Sequence, residues 1–285
     1  MQLTKDKQIL IVGLGLIGGS YARALTGEGY RVTAIDRNAD SIRYALHERI
    51  IAAGSTEVEA ELVGAADMVV FALYPHVFVE WIRQYQSLFK PGVILTDVTG
   101  VKANVVYRVQ ALLRQDAEYI AAHPMAGREV YGVENSDRRI FYGANYIVVP
   151  TDKNTSTAVE LCRDLGEVLG FARVSVLSPE EHDEMIGFVS QLTHCIAVSL
   201  MTCSDNRHLV KYTGDSFRDL TRIARINDAM WSELFMLNKE PLLRQMDTFL
   251  QEFTALRDTI AAGDVDTLRQ KMRLSTERRA LFDNN

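Results

Sequence analysis

Cysteine is scarce in this chain. Its 285 residues hold only Cys162, Cys195 and Cys203, an odd number that shows no metal-ligand spacing and makes no disulfide framework. That usage fits a reducing compartment, and a cytoplasmic protein is expected. Basic residues are in deficit too: 31 Lys and Arg against 37 Asp and Glu leave a net charge of −6 and a pI of about 5.6. Neither nucleic acid nor a membrane surface is therefore expected as the main partner. An anionic ligand has to be met by a local cluster of Arg or His. Long hydrophobic runs are missing as well. The apolar segment behind the polar residues 1–7 is interrupted by five glycines between Gly13 and Gly27. It has no secretory cleavage pattern and is too broken to span a bilayer. There is no internal repeat and no low-complexity tract.

What is present reads as globular: 47% hydrophobic and 24% charged, at a length that suits one large or two ordinary domains. The first two-thirds alternates short apolar runs with longer helical patterns. Strands are expected at 8–12, 30–35, 68–72, 93–96, 119–122, 146–149 and 173–176, and helices at 18–27, 39–48, 77–89 and 156–170. The 68–72 run is continuously apolar, as a strand covered on both faces should be. This β-α-β alternation predicts an α/β domain with a Rossmann-type, doubly wound, mostly parallel sheet. The pattern changes at Ser178-Pro179-Glu180-Glu181, a capping box with proline at the first helical position. No strand pattern follows. Leu234, Leu237, Leu242, Met246, Phe249, Phe253 and Leu256 recur at helical spacing. The expected organisation is a dinucleotide-binding domain over 1–177 and an all-α C-terminal domain over 178–285. The second is expected to carry substrate contacts, and its large apolar side chains are expected to form a homodimer surface, to pack onto the domain's own helices, or both.

Gly13-Leu14-Gly15-Leu16-Ile17-Gly18 lies between an expected strand and an expected helix. In that setting Gly13 makes a tight turn, Gly15 lets the backbone approach a pyrophosphate, and Gly18 lets helix and strand pack closely. The N-terminus of the helix that follows offers free N–H groups to the phosphates, and Leu16 and Ile17 of the turn are counted among the cofactor-binding residues. Asp36 ends the second strand, where a carboxylate accepts from the adenosine ribose hydroxyls and repels a 2′-phosphate. NAD is therefore favoured over NADP, although Arg37 beside it could tolerate the phosphate. Leu73 and Pro75, after the third strand, are expected to line the cofactor cleft or to form an ordinary βα loop. His123, after the apolar run 119–122, stands at an expected strand end, where an α/β enzyme places an acid–base group.

The chain resembles the prephenate/arogenate dehydrogenase family. The resemblance rests on the glycine segment 13–20, on Thr96-Asp97-Val98-Thr99-Gly100-Val101-Lys102, on His123-Pro124-Met125-Ala126-Gly127, and on Phe217-Arg218-Asp219-Leu220-Thr221-Arg222-Ile223-Ala224 with Trp231 beyond it. It implies oxidative decarboxylation of an anionic cyclohexadienol to a phenol with hydride transfer to NAD. By the same resemblance, His123 is the base that accepts the hydroxyl's hydrogen bond, and it must be neutral to do so. His194 falls at a substrate-pocket histidine, and Arg222 is expected to take a substrate carboxylate by bidentate bonds. Trp231 would close the pocket. Glu129 and Asp219 would orient arginines at its mouth. Arg218 and Arg225 read as solvated basic residues.

One position departs from the pattern. Many family members carry serine where this chain has Gly100, and Thr99, one residue earlier, or a water is expected to supply its hydroxyl. Prephenate and arogenate differ by a keto against an amino group, and the residues do not choose between them. A related 3-hydroxyacid dehydrogenase would want a lysine on the first long helix of the second domain, and 183–204 has none. A non-catalytic NAD-sensing protein would keep the glycine turn without His123, His194 and Arg222.

Overall fold

A computed structural model describes residues 3–283, so the outer limits 1–2 and 284–285 of the expected domains lie outside the described residues. The first elements are β1 (Gln8–Val12), α1 (Leu16–Gly27), β2 (Arg31–Ile35), α2 (Ala39–His47), β3 (Ala53–Ser55), α3 (Ala60–Ala65), β4 (Met68–Phe71), α4 (Pro75–Tyr85), β5 (Ile94–Asp97), α5 (Ala103–Leu112) and β6 (Glu118–Tyr119). Their strands form one parallel sheet of order β3-β2-β1-β4-β5-β6. This is the doubly wound order of a Rossmann domain, with its topological switch between β1 and β4.

Strand alternation builds the core. Ile9 and Ile11 of β1 with Met68 and Val70 of β4 face one apolar layer, while Leu10, Val12, Val69 and Phe71 face the other. Both layers are closed by helices, so β1 and β4 read as unbroken apolar runs. Leu25 of α1 packs in the first layer, and Phe78 and Ile82 of α4 in the second.

The expected strand 119–122 is divided. Ile120 N still donates to Leu95 O at 3.0 Å beside β5, but from Ala121 the chain joins a second sheet. That sheet holds β7 (Ala121–Pro124), β8 (Asn145–Val149) and β9 (Arg173–Val176). β7 runs antiparallel to β8, and β8 parallel to β9. α6 (Ser156–Leu169) links β8 to β9 and ends at Gly170, which takes φ +90°. The left-handed cap is a conformation glycine adopts without Cβ strain.

α7 (Pro179–Ile186) starts on the expected capping box: Ser178 accepts from Glu181 N, and the Glu181 carboxylate accepts from Ser178 N. A π-helical turn, Gly187–Leu192, joins it to α8 (Thr193–Thr202). By length and composition, 179–202 is the one stretch of the described residues apolar enough to cross a membrane. Its His182, Asp183, Gln191 and His194 are all engaged in hydrogen bonds to protein groups. α9 (Asp215–Thr221), a 3-10 turn Arg222–Ala224 and α10 (Asp228–Leu237) follow.

The described residues fall into two compact units, one reaching Asn238 and one beginning at Lys239. The second is a helical hairpin of α11 (Lys239–Ala261) and α12 (Val265–Ala280). Gly263 turns it with φ +67°, and Asp264 caps α12 by accepting from Thr267 N at 3.0 Å.

Candidate active site

The cofactor cleft begins at the turn after β1. Gly13 has φ +99°, and a Cβ there would fall 2.4 Å from the carbonyl oxygen of Ala72. A Cβ at Gly18 would fall 1.9 Å from the carbonyl oxygen of Gly13. Backbone packing therefore requires glycine at both positions. Gly15 differs, because nothing lies within 4 Å of a Cβ placed on it. α1 has no side-chain cap, so the N–H groups of Leu16, Ile17 and Gly18 are left for an anion. Asp36 stands beside this turn at the end of β2. One of its carboxylate oxygens accepts from Leu14 N at 2.5 Å and the other from Asn38 N at 2.8 Å. Arg37 is exposed and makes no ion pair among the described residues. Leu73 covers the turn, its Cδ2 lying 3.2 Å from the Cβ position of Gly13, and Pro75 is buried at the first residue of α4. An open glycine, an uncapped helix and a carboxylate at the end of β2 together fit a dinucleotide.

α10 is fastened to the loop after β4. Glu233 accepts from His76 N at 2.7 Å and lies 2.8 Å from His76 Nδ1. Asn227 Nδ2 donates to Tyr74 Oη at 3.0 Å. These contacts place Leu234 against the loop after β5, 3.5 Å from the Cβ position of Gly100.

His123 lies within β7, opposite Ile147, because the strand runs on to Pro124 instead of ending at Ala122 as the sequence pattern suggests. Its Nδ1 is 2.8 Å from His182 Nε2, and His182 Nδ1 is 2.7 Å from Asp183 Oδ1. Asp183 also accepts from Lys102 N at 2.7 Å and Ala103 N at 2.8 Å, at the start of α5. A carboxylate only accepts, so His182 carries its proton on Nδ1. His182 Nε2 is then an acceptor, and His123 donates from Nδ1. The relay leaves the His123 Nε2 lone pair free, 3.9 Å from the Cβ position of Gly100. Burial first, then the neighbouring His182 and Lys102, hold the His123 pKa well below 6.5. Burial also lowers that of His182.

Behind the relay sits a buried ion pair. Lys102 Nζ lies 2.7 Å from Asp97 Oδ2, and both side chains are fully buried. Tyr119 donates its hydroxyl to Asp97 Oδ1 at 2.8 Å. Burial lowers the Lys102 pKa, and Asp97 opposes it. The Thr99 hydroxyl lies between Asp97 and the Val101 carbonyl and accepts from Lys102 Nζ at 3.2 Å. Thr99 is thus committed to the ion pair and does not stand in for the hydroxyl absent at Gly100.

His194 donates from Nδ1 to the carbonyl of Ser190 at 2.8 Å, which leaves its Nε2 free. Its ring stacks on Trp231, with centroids 3.7 Å apart. Burial lowers the His194 pKa, the nearby Arg222 charge adds to that, and Glu129 and the Ser190 carbonyl oppose it. Arg222 Nη1 pairs with Glu129 Oε1 from the loop after β7, and the arginine is 65% exposed. Arg218 pairs with Asp215 at 2.5 Å on the surface; Arg225 and Asp219 are exposed. The structure therefore brings His194, Trp231, Arg222 and Glu129 together and leaves Asp219 outside the group. His182 and Asp183 were not singled out from the sequence. Their signal was a His-Asp dipeptide in the first turns of the helix that opens the second half.

A dinucleotide cleft at the switch point of a Rossmann sheet, with a half-buried histidine held neutral on β7, defines a nicotinamide-dependent dehydrogenase. Residues 21–176 match the family model for the prephenate dehydrogenase nucleotide-binding domain, and 178–274 match that for its dimerization domain. The prephenate dehydrogenase of Bacillus subtilis is 31% identical over 275 residues, covering 94% of this chain and 74% of that protein. The cyclohexadienyl dehydrogenase of Zymomonas mobilis is 28% identical over 284 residues, covering 97% and 96%. The crystal structure of A. aeolicus prephenate dehydrogenase with hydroxyphenyl propionate and NAD+ superposes with a TM-score of 0.90 at 28% identity, covering 99% of this chain and 100% of that one. The chain belongs to the prephenate dehydrogenase family.

Proposed function

We propose that this chain catalyses the NAD-dependent oxidative decarboxylation of prephenate to 4-hydroxyphenylpyruvate. The observation that carries the reading is the free Nε2 of a neutral His123, fixed in one tautomer by His182 and Asp183. NAD, held by the Gly13–Gly18 turn and Asp36, would supply the hydride acceptor for the ring carbon that bears the hydroxyl. His123 Nε2 takes the hydroxyl proton as that carbon becomes a carbonyl. Loss of the ring carboxylate as CO2 then aromatises the ring, and the proton returns to the same oxygen. No net proton is released, so a base that stays neutral between turnovers suffices. Arg222 exchanges Glu129 for a substrate carboxylate, and His194 and Trp231 bound the ring. Arogenate, with an amino group on the side chain, is the alternative substrate, since no side chain in the group distinguishes it.

Residues 1–177 serve the cofactor and 178–285 the substrate and a homodimer interface. In support, Phe188 and Met201 of the apolar helical stretch and Leu250 and Phe253 of α11 are all more than 40% exposed, as surfaces awaiting a second subunit would be. The match to a dimerization-domain model supports the same reading. The sparse cysteine usage agrees with a cytoplasmic location.

The test follows reduced-nicotinamide absorbance with NAD or NADP against prephenate and arogenate in turn. NAD with prephenate is expected to give the highest kcat/KM. Absence of reduction in all four combinations overturns the reading. His123→Asn should abolish turnover with NAD affinity intact, whereas a parallel loss of NAD binding would make His123 structural.

A further inference from the structure

Away from the cleft, a surface pocket lies between α1, the end of α2 and the segment 136–139. It is lined by Arg23, Arg49, Arg138, Arg139, Tyr44 and Ser136. Four arginines in one pocket of a chain with net charge −6 is a local inversion of sign. Arg138 is paired with Glu28 at 2.7 Å and Arg139 with Asp137 at 2.6 Å. Neither of the other two is ion-paired to a carboxylate among the described residues. Arg23 donates to Ser136 Oγ at 2.8 Å and Tyr44 Oη at 3.3 Å, and its guanidinium lies over the Tyr44 ring, 5.9 Å from the centroid. Arg49 makes no ion pair among the described residues. In addition, Arg138 Nε is buried without a hydrogen-bond partner, a donor left over in a place where burial is costly.

The backbone at Arg49 carries independent weight. It has φ +55°, alone among the described non-glycine residues. It follows the C-cap of α2, where Ile50 N donates back to Ala45 O at 2.8 Å. That is a left-handed cap position, usually filled by glycine. An arginine there holds a strained conformation and brings a guanidinium to the pocket.

We infer that this pocket binds a tetrahedral oxyanion of the phosphate class, through the Arg23 and Arg49 guanidinium groups with the Tyr44 hydroxyl; the Ser136 hydroxyl donates to the Val133 carbonyl and serves to hold Arg23. Guanidinium forks match a phosphoryl group bidentately, and the hydroxyls that hold Arg23 give it a preset orientation. The neighbouring carboxylates of Glu48 and Asp137 are part of the lining, and they favour a compact anion over a long polyanion.

The test is thermal stability in inorganic phosphate, with potassium chloride at matched ionic strength as the reference and NAD saturating, so that the glycine turn is already filled. Phosphate is expected to raise Tm above the chloride reference in a saturable way. Arg49→Gly relieves the left-handed strain and so should fold at least as well, yet should weaken the apparent phosphate Kd by about tenfold or more. Arg23→Gln should do the same. Equal Tm in phosphate and chloride overturns the inference. So does an unchanged phosphate response in both variants, which would mark an adventitious ion only.

Discussion

His123 Nδ1 stands 2.8 Å from His182 Nε2, and this single contact decides which face of His123 is basic. Asp183 forces the His182 proton onto Nδ1, and His182 in turn forces the His123 proton onto Nδ1. A histidine with the other tautomer would offer an N–H where a lone pair is needed.

His182→Ala removes that constraint without touching substrate. We expect kcat to fall on the order of 10²-fold, the scale of a mispositioned general base, with KM for NAD unchanged. His182→Gln, whose carbonyl can accept from His123 Nδ1, should recover most of the loss. Equal loss in both variants, together with weakened NAD binding, would mean that His182 only holds the fold. Steady-state kinetics with NAD and substrate varied separately distinguish the two.

The same burial sets a pH dependence. His123 and His182 are both held below 6.5 in the folded chain, while unfolded histidine titrates near ~6.5. Between the folded and unfolded values the unfolded chain binds more protons, so stability falls as pH falls. The stabilisation is complete above about pH 6.5 and is lost progressively below it. Tm should therefore drop between pH 7 and pH 5, and His182→Gln should flatten that drop. The acid limb of kcat/KM for the wild type should lie below the ordinary histidine range.

Much of this was legible before any coordinates. Residues 9–12 of β1 and all of β4 are unbroken apolar runs because both faces are covered, and Gly13 and Gly18 are fixed by backbone contacts that exclude a Cβ. β3 escaped notice because Ala53-Gly54-Ser55 has no apolar signature; its parallel pairing with β2 makes it a strand. The run 119–122 is equally apolar on both sides of Ile120, so nothing in it signals the change of sheet. The relay was hidden by distance, since His182 lies 59 residues from His123. Thr99 was the reverse case. Its hydroxyl was the right group beside Gly100, but a buried Lys102 and Asp97 claim it.

Arg222 and Glu129 form an exposed pair, and such pairs contribute at most about 1 kcal/mol. A substrate carboxylate can therefore displace Glu129. Arg222→Ala should raise substrate KM roughly 30-fold or more, since the lost partner of a desolvated anion typically costs ~2–5 kcal/mol, with a smaller change in kcat. Glu129→Gln should lower KM by up to about fivefold, because the arginine no longer has a competing partner. A rise in KM for Glu129→Gln would instead show that the pair must stay intact to shape the pocket.

Gly100→Ser tests the departure from the family pattern directly. A Cβ at this position meets Leu234 at 3.5 Å and His123 Nε2 at 3.9 Å, both ordinary contacts. Gly100 also does not take a positive φ. The variant should thus fold with Tm close to wild type. Its hydroxyl would extend into the gap in front of Nε2, where the substrate hydroxyl must sit. One added neutral hydrogen bond contributes about 0.5–1.5 kcal/mol, so kcat/KM should rise roughly twofold to tenfold. If kcat/KM instead falls more than tenfold at unchanged Tm, the gap is already used as it stands, by substrate bulk or by an ordered water, and Gly100 is then the residue that fits this chain to its substrate.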